Sequence, residues 1–127
     1  MITKKNIYQL HEEHKSWSNK LAFYNDELSI MQNRISEVAQ KNTSKETLAF
    51  IEHFQNQLIV QKEQIDILNH NINKHELFLE SRANTNPTAV DHEAFPDHEL
   101  QRNQVETFET IFNDLRKELI NFISKWM

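Results

Sequence analysis

Ile7, Leu10, His14, Trp17, Leu21, Tyr24, Leu28, Met31, Ile35 and Val38 follow one another in strictly alternating steps of three and four residues. A mean period of ~3.5 residues is the seam of a helix packed in a left-handed bundle, and it cannot serve a strand, whose faces repeat every second residue. Two more stretches carry the same period. The second holds Ile51, Leu58, Ile65, Ile72 and Leu79 at one heptad position and Thr47, Phe54, Gln61, Leu68 and His75 at the complementary one. The third runs His98, Gln101, Val105, Phe108, Phe112, Leu115, Leu119, Phe122 and Trp126.

The points where these seams stop define the chain's organisation. A first helix is expected over about residues 3–41, roughly 58 Å long at ~1.5 Å per residue. Asn42, Thr43 and Ser44 break the pattern, and Thr43 followed by Glu46 has the form of a capping box opening a second helix over about residues 44–81. So short a connection turns the second helix back along the first. The stretch RANTNPTAVDHEAF, residues 82–95, is rich in turn formers and lacks a period, so it is expected to be the long loop. Pro96 suits the first turn of a third helix reaching about residue 127, with Asp97 and Glu99 against the positive end of its dipole. The expected fold is all-α, a single-domain antiparallel up-down-up three-helix bundle with long helices and coiled-coil-like packing.

Composition removes most alternatives. Glycine is absent from the 127 residues, which disfavours phosphate-binding loops, dinucleotide folds and β-barrels, all dependent on positive-φ turns. Without cysteine there are no disulfides, thiolate metal sites or cysteine nucleophiles. Nineteen acidic against fourteen basic residues, with the bases scattered, argue against nucleic acid or an anionic membrane as partner. No apolar run approaches the ~20 residues of a membrane span, and MITKKNIYQL has no signal-peptide core. A complete cytoplasmic protein is therefore expected.

The histidines are the departure from plain packing. Folding the chain at Asn42 pairs first- and second-helix residues whose numbers sum to about 85, and the second crossing gives about 175 for the second and third helices. His11, His14, His70, His75, His92 and His98 then fall at one end, with His53 apart. Of these, His14, His75 and His98 occupy seam positions on three different helices. Imidazoles converging in this way match the ligand sets of Zn²⁺ or Fe²⁺, with His11 as a further ligand and Glu13, Glu76 or Glu99 as additional carboxylates. A second account is a polar layer whose histidines hydrogen-bond one another, Gln101 or backbone. Familiar metal motifs are missing, since HEEH at His11–His14 is not HExxH and no ExxH pair occurs. Asp66 and His70, four apart on the outer face, read as a solvated pair.

Other polar seam residues read as structural. Tyr24 and Gln61 are expected at one level, sharing a hydrogen bond that sets register. Glu27 and Arg34 are expected to cover the seam with their stems. The aromatic residues at helical spacing are core. Catalysis finds no support, because no strained nucleophile turn such as GxSxG is present and a slim bundle offers few clefts unless the loop, with Asp91-His92-Glu93, folds over one end. Phe23, Ile30, Ile59, Val60 and Ile67 lie off the seams and suit a protein partner or self-association, although the drift of straight helices also broadens an apolar stripe. The function expected first is a small non-catalytic interaction or structural module. The alternative is a metal-binding protein with its site at the histidine end.

Overall fold

The computed structural model describes residues 7–85 and 96–126. Among these residues there are three helices and no strand: α1 (Ile7–Lys41), α2 (Lys45–Thr85) and α3 (Pro96–Trp126). They pack as a bundle. The expected start of the first helix at residue 3, most of the expected loop with Asp91, His92 and Glu93, and Met127 lie outside the described residues. None of the helices among the described residues is long and apolar enough to cross a membrane.

The seams are the core. Every heptad position named on α2 is buried, as are all those on α1 and α3 except Ile7 and Trp126, which are partly covered at the extremities. One continuous apolar cluster runs from Trp17 to Val38 on α1, from Ile51 to Ile72 on α2 and from Val105 to Phe122 on α3. Leu10 and Leu79, with Ile7 packed on them, form a separate small cluster. Between the two clusters the seam residues are polar: His14, His75, His98 and Gln101. The histidine layer is thus bounded by apolar side chains on both sides.

Two element boundaries differ from expectation. The cap of α2 is Ser44, not Thr43: its hydroxyl accepts from the Thr47 amide at 3.2 Å and donates to the Thr47 hydroxyl at 2.7 Å. Thr47 is itself a fully buried seam residue, so the cap forms where it also satisfies that hydroxyl. At its other end α2 continues to Thr85, four residues beyond Ser81. Arg82 and Ala83 are good helix formers, Arg82 suits the negative end of the dipole, and the next strong breaker in the sequence is Pro87.

Ion pairs tie α1 to α3 at a constant offset. Glu13 meets Arg102, Lys20 meets Glu109 and Glu27 meets Arg116, each pair 89 residues apart in sequence. The pairs repeat with the heptad and alternate in sign. Glu27, expected only to cover the seam with its stem, is therefore ion-paired; Arg116 also lies 5.5 Å from the Phe112 ring centroid. The expected Tyr24–Gln61 hydrogen bond does not form. Tyr24 packs its ring 4.6 Å from Phe112 and donates its hydroxyl to Glu109 at 3.1 Å, while Gln61 Oε1 is buried without a partner. The reason is both level and rotation. Contacts between α1 and α2 join residues whose numbers sum to about 88, one turn off the Tyr24–Gln61 pairing, and Tyr24 faces α3. Burial and the Glu109 carboxylate both raise the Tyr24 pKa.

Candidate metal centre

Each helix delivers one imidazole to the polar layer because each seam substitutes histidine at the same level. His14, His75 and His98 are 2%, 8% and 1% exposed. Each can offer one ring nitrogen such that the three lie within 4.8 Å of one another. His75 Nδ1 lies 3.2 Å from His14 Nε2. Nitrogens sharing one zinc at ~2.1 Å in tetrahedral geometry stand ~3.4 Å apart, so small ring rotations close the set. Trp17 backs the layer, its ring centroid 4.8 Å from that of His98 and 5.5 Å from that of His14.

The outward nitrogens are held by carboxylates. His14 Nδ1 donates to Glu76 Oε2 at 2.6 Å, and the other Glu76 oxygen accepts from His11 Nδ1 at 2.5 Å. On the opposite side His98 Nε2 donates to Glu13 Oε1 at 3.3 Å. Glu13 is clamped in turn by Arg102, whose Nε reaches Oε2 at 3.0 Å and whose Nη2 reaches Oε1 at 2.8 Å. A second arm of Arg102 holds Glu99. Since an ionised carboxylate only accepts, these contacts place the protons on His14 Nδ1 and His98 Nε2 and leave lone pairs on the opposite nitrogens. In the metal-free layer His14 Nε2 therefore accepts from His75 Nδ1, and ligation through His75 Nδ1 would require its proton to move to His75 Nε2. His98 Nδ1 is buried with no hydrogen-bond partner. Leaving a buried acceptor unmade costs about 1–3 kcal/mol, and a metal ion would remove that cost.

Protonation favours the same chemistry. Burial, reinforced by the nearby His14, pushes His98 down to about 4 from its ordinary 6.5, although Glu13 opposes the shift. Burial and His14 likewise lower His75. For Glu76, burial pushes the carboxyl upward, but the hydrogen bonds from His11 and His14 outweigh it and hold the group ionised below its usual range. His75 and His98 are thus neutral near pH 7, the state in which imidazole ligates metal.

The other expected ligands sit elsewhere. His11 is half-exposed and engages Glu76, outside the convergent trio. Glu13 and Glu76 contact the outward nitrogens, and Glu99 contacts Arg102. His53 and His70 are exposed on α2. Arg102 was not expected in the site. Its signal was the constant offset between α1 and α3, which puts it opposite Glu13 one turn beyond His98. Neither a known protein family nor a curated protein nor a solved structure matches the chain, so the reading of this layer rests on its own chemistry.

Proposed function

We propose that this protein binds a transition metal, with His14, His75 and His98 holding one Zn²⁺ or Fe²⁺ between three helices that run up, down and up with coiled-coil-like packing. The observation that carries the reading is the convergence of three buried imidazole nitrogens within 4.8 Å, one from each helix. Support comes from the carboxylates on the outward nitrogens of His14 and His98, since such partners orient a metal-binding histidine and raise its basicity. A set of three nitrogens and no thiolate suits zinc or iron. The up-down-up course has its own support: α1–α3 ion pairs keep a constant difference of 89, whereas α1–α2 contacts keep a roughly constant sum.

Elemental analysis tests the proposal. Protein prepared without an affinity tag, stripped with chelator and equilibrated with zinc is expected to retain one ion per chain and to melt at a higher temperature. His98→Ala is expected to retain none while keeping the helical circular-dichroism signal of the metal-free wild type. Wild-type protein that holds no zinc, iron or other divalent ion after loading ends the idea.

A second reading is a non-catalytic interaction module of the cytoplasm. Its support is the exposure of Phe23, Ile30, Ile59, Val60 and Ile67, each between 45% and 58% accessible. Light scattering over a wide concentration range checks the self-association it implies, and a strict monomer counts against that form of it. The two readings are compatible, because these residues and the histidine layer use different parts of the helices.

A further inference from the structure

The proposed ion has three protein ligands, and the carboxylates around it are committed elsewhere. Glu76 spends its two oxygens on His11 and His14, and Glu13 spends both on Arg102 and His98. Glu99 is paired with Arg102. Among the described residues, the group able to converge on one ion contains the three histidines and no carboxylate. Three neutral imidazoles leave a tetrahedral ion one ligand short and its double charge uncancelled. Sites with three protein ligands keep the remaining position for water or an exogenous group.

A cleft reaches the layer at His75, and Gln101 lies beside it. A cleft of about 400 Å³ opens between α2 and α3, lined by His75, Gln101, Lys74, Asp97, Phe78 and Leu100 among others. Lys74 and Asp97 balance each other, so the charge that selects a ligand comes from the ion. Gln101 is 9% exposed and one helical turn beyond His98. Its amide nitrogen donates to the Asn71 carbonyl at 3.0 Å, which fixes its orientation. Its Oε1 is buried without a partner. An orphaned buried acceptor on a residue that lines that cleft matches a ligand that carries a proton, namely water or hydroxide.

Resting on the metal-binding reading, we infer that the fourth coordination position is an open site occupied by an exchangeable water, with Gln101 accepting its hydrogen bond, and that small anions displace this water through the α2–α3 cleft. An anion such as azide brings no proton for Gln101, so the charge of the ion alone would draw it, and the site is an open one and not a closed structural metal site. No covalent step beyond ligand exchange is involved.

Cobalt(II) titration of the chelator-stripped full-length protein tests this, with sodium azide as the probe anion. Binding of Co(II) is expected to produce the intense visible bands of a tetrahedral N-ligated ion, and azide is expected to shift them saturably at one equivalent per metal. Gln101→Glu is expected to keep Co(II) and to weaken azide by about tenfold or more, because it puts a carboxylate oxygen in place of the orphaned amide oxygen. If Co(II) fails to bind, both this inference and the metal reading fall. Co(II) bands that ignore azide overturn the open position and leave the metal reading standing. An azide response unchanged in Gln101→Glu removes Gln101 from the position.

Discussion

At the level of His14, each seam presents an imidazole; three turns further along α1, at Tyr24, the facing seam residues are Phe108 and Phe112 on α3. Heptad positions and burial are alike in the two layers, but the chemistry is opposite. In the aromatic layer the rings of Tyr24, Phe108 and Phe112 pack on one another, and the Tyr24 hydroxyl leaves the core to reach Glu109. The histidine layer keeps polar atoms inside and spends four further side chains, Glu13, Glu76, His11 and Arg102, on holding them. Two layers three turns apart in one bundle thus differ in kind, one packed for stability and the other the layer for which metal binding is proposed. That division makes opposite predictions for substitutions at equivalent positions.

The largest expected effect is on stability. Phe112 is fully buried, and Phe112→Ala is expected to destabilise the protein by about 3–5 kcal/mol through lost burial and a residual cavity. His98→Leu, at the same kind of seam position, is expected to leave the metal-free protein within about 1 kcal/mol of wild type, because an apolar side chain of similar size replaces an acceptor that already lacks a partner. Urea denaturation in the presence of chelator measures both. Equal losses in the two variants would show that the layers are not specialised.

The next effect is on pH dependence. His98 has its pKa pushed down to about 4 in the folded protein against an ordinary 6.5. Between those values the unfolded chain binds the proton more readily, so its stabilising contribution is present above pH 6.5 and is lost as pH falls toward 4. His75, also lowered, adds to the loss in the same direction. For the metal-free wild type the loss attributable to His98 is expected to be about 2 kcal/mol, below the full linkage value because solvent at the partly accessible Glu13 and Glu76 screens the layer. His98→Leu is expected to show a shallower decline over the same interval. Parallel pH profiles would assign the acid loss to other groups.

Much of this contrast was legible beforehand. The three–four periodicity identified the buried positions on all three helices, since a heptad seam has only one way to face a bundle core. It also brought His14, His75 and His98 to one level. What it could not resolve was rotation within a level: Tyr24 could face α2 or α3, and an error of one turn in the α1–α2 pairing gave Gln61 as its partner. Ser44 and Thr43 differ little as caps until the burial of Thr47 is known. The clamps around the histidines were hidden because Glu13 and Arg102 are far apart in sequence and unexceptional alone. Only the offset of α1 against α3 connects them, and that offset follows from the sequence indirectly, through the pairing of each with α2.

That offset supplies the smallest and most discriminating test. Glu13–Arg102, Lys20–Glu109 and Glu27–Arg116 alternate in sign, so sliding α3 by one heptad sets Glu13 against Glu109 and Lys20 against Arg116. Like charges then meet wherever the slip places them, while the apolar seams, repeating every seven residues, would tolerate it far better. The native register, and with it the level of His98 against His14, is the one in which all three pairs are attractive. Lys20→Glu is expected to cost only about 0.5–1 kcal/mol, since Lys20 is half-exposed and such pairs are weak in water. Adding Glu109→Lys is expected to restore at least half of that loss, with the Tyr24 hydroxyl losing its acceptor and accounting for the remainder. A double-mutant cycle on chemical denaturation measures the coupling, and a coupling of zero would mean that the apolar seams alone align the helices and bring the histidines together.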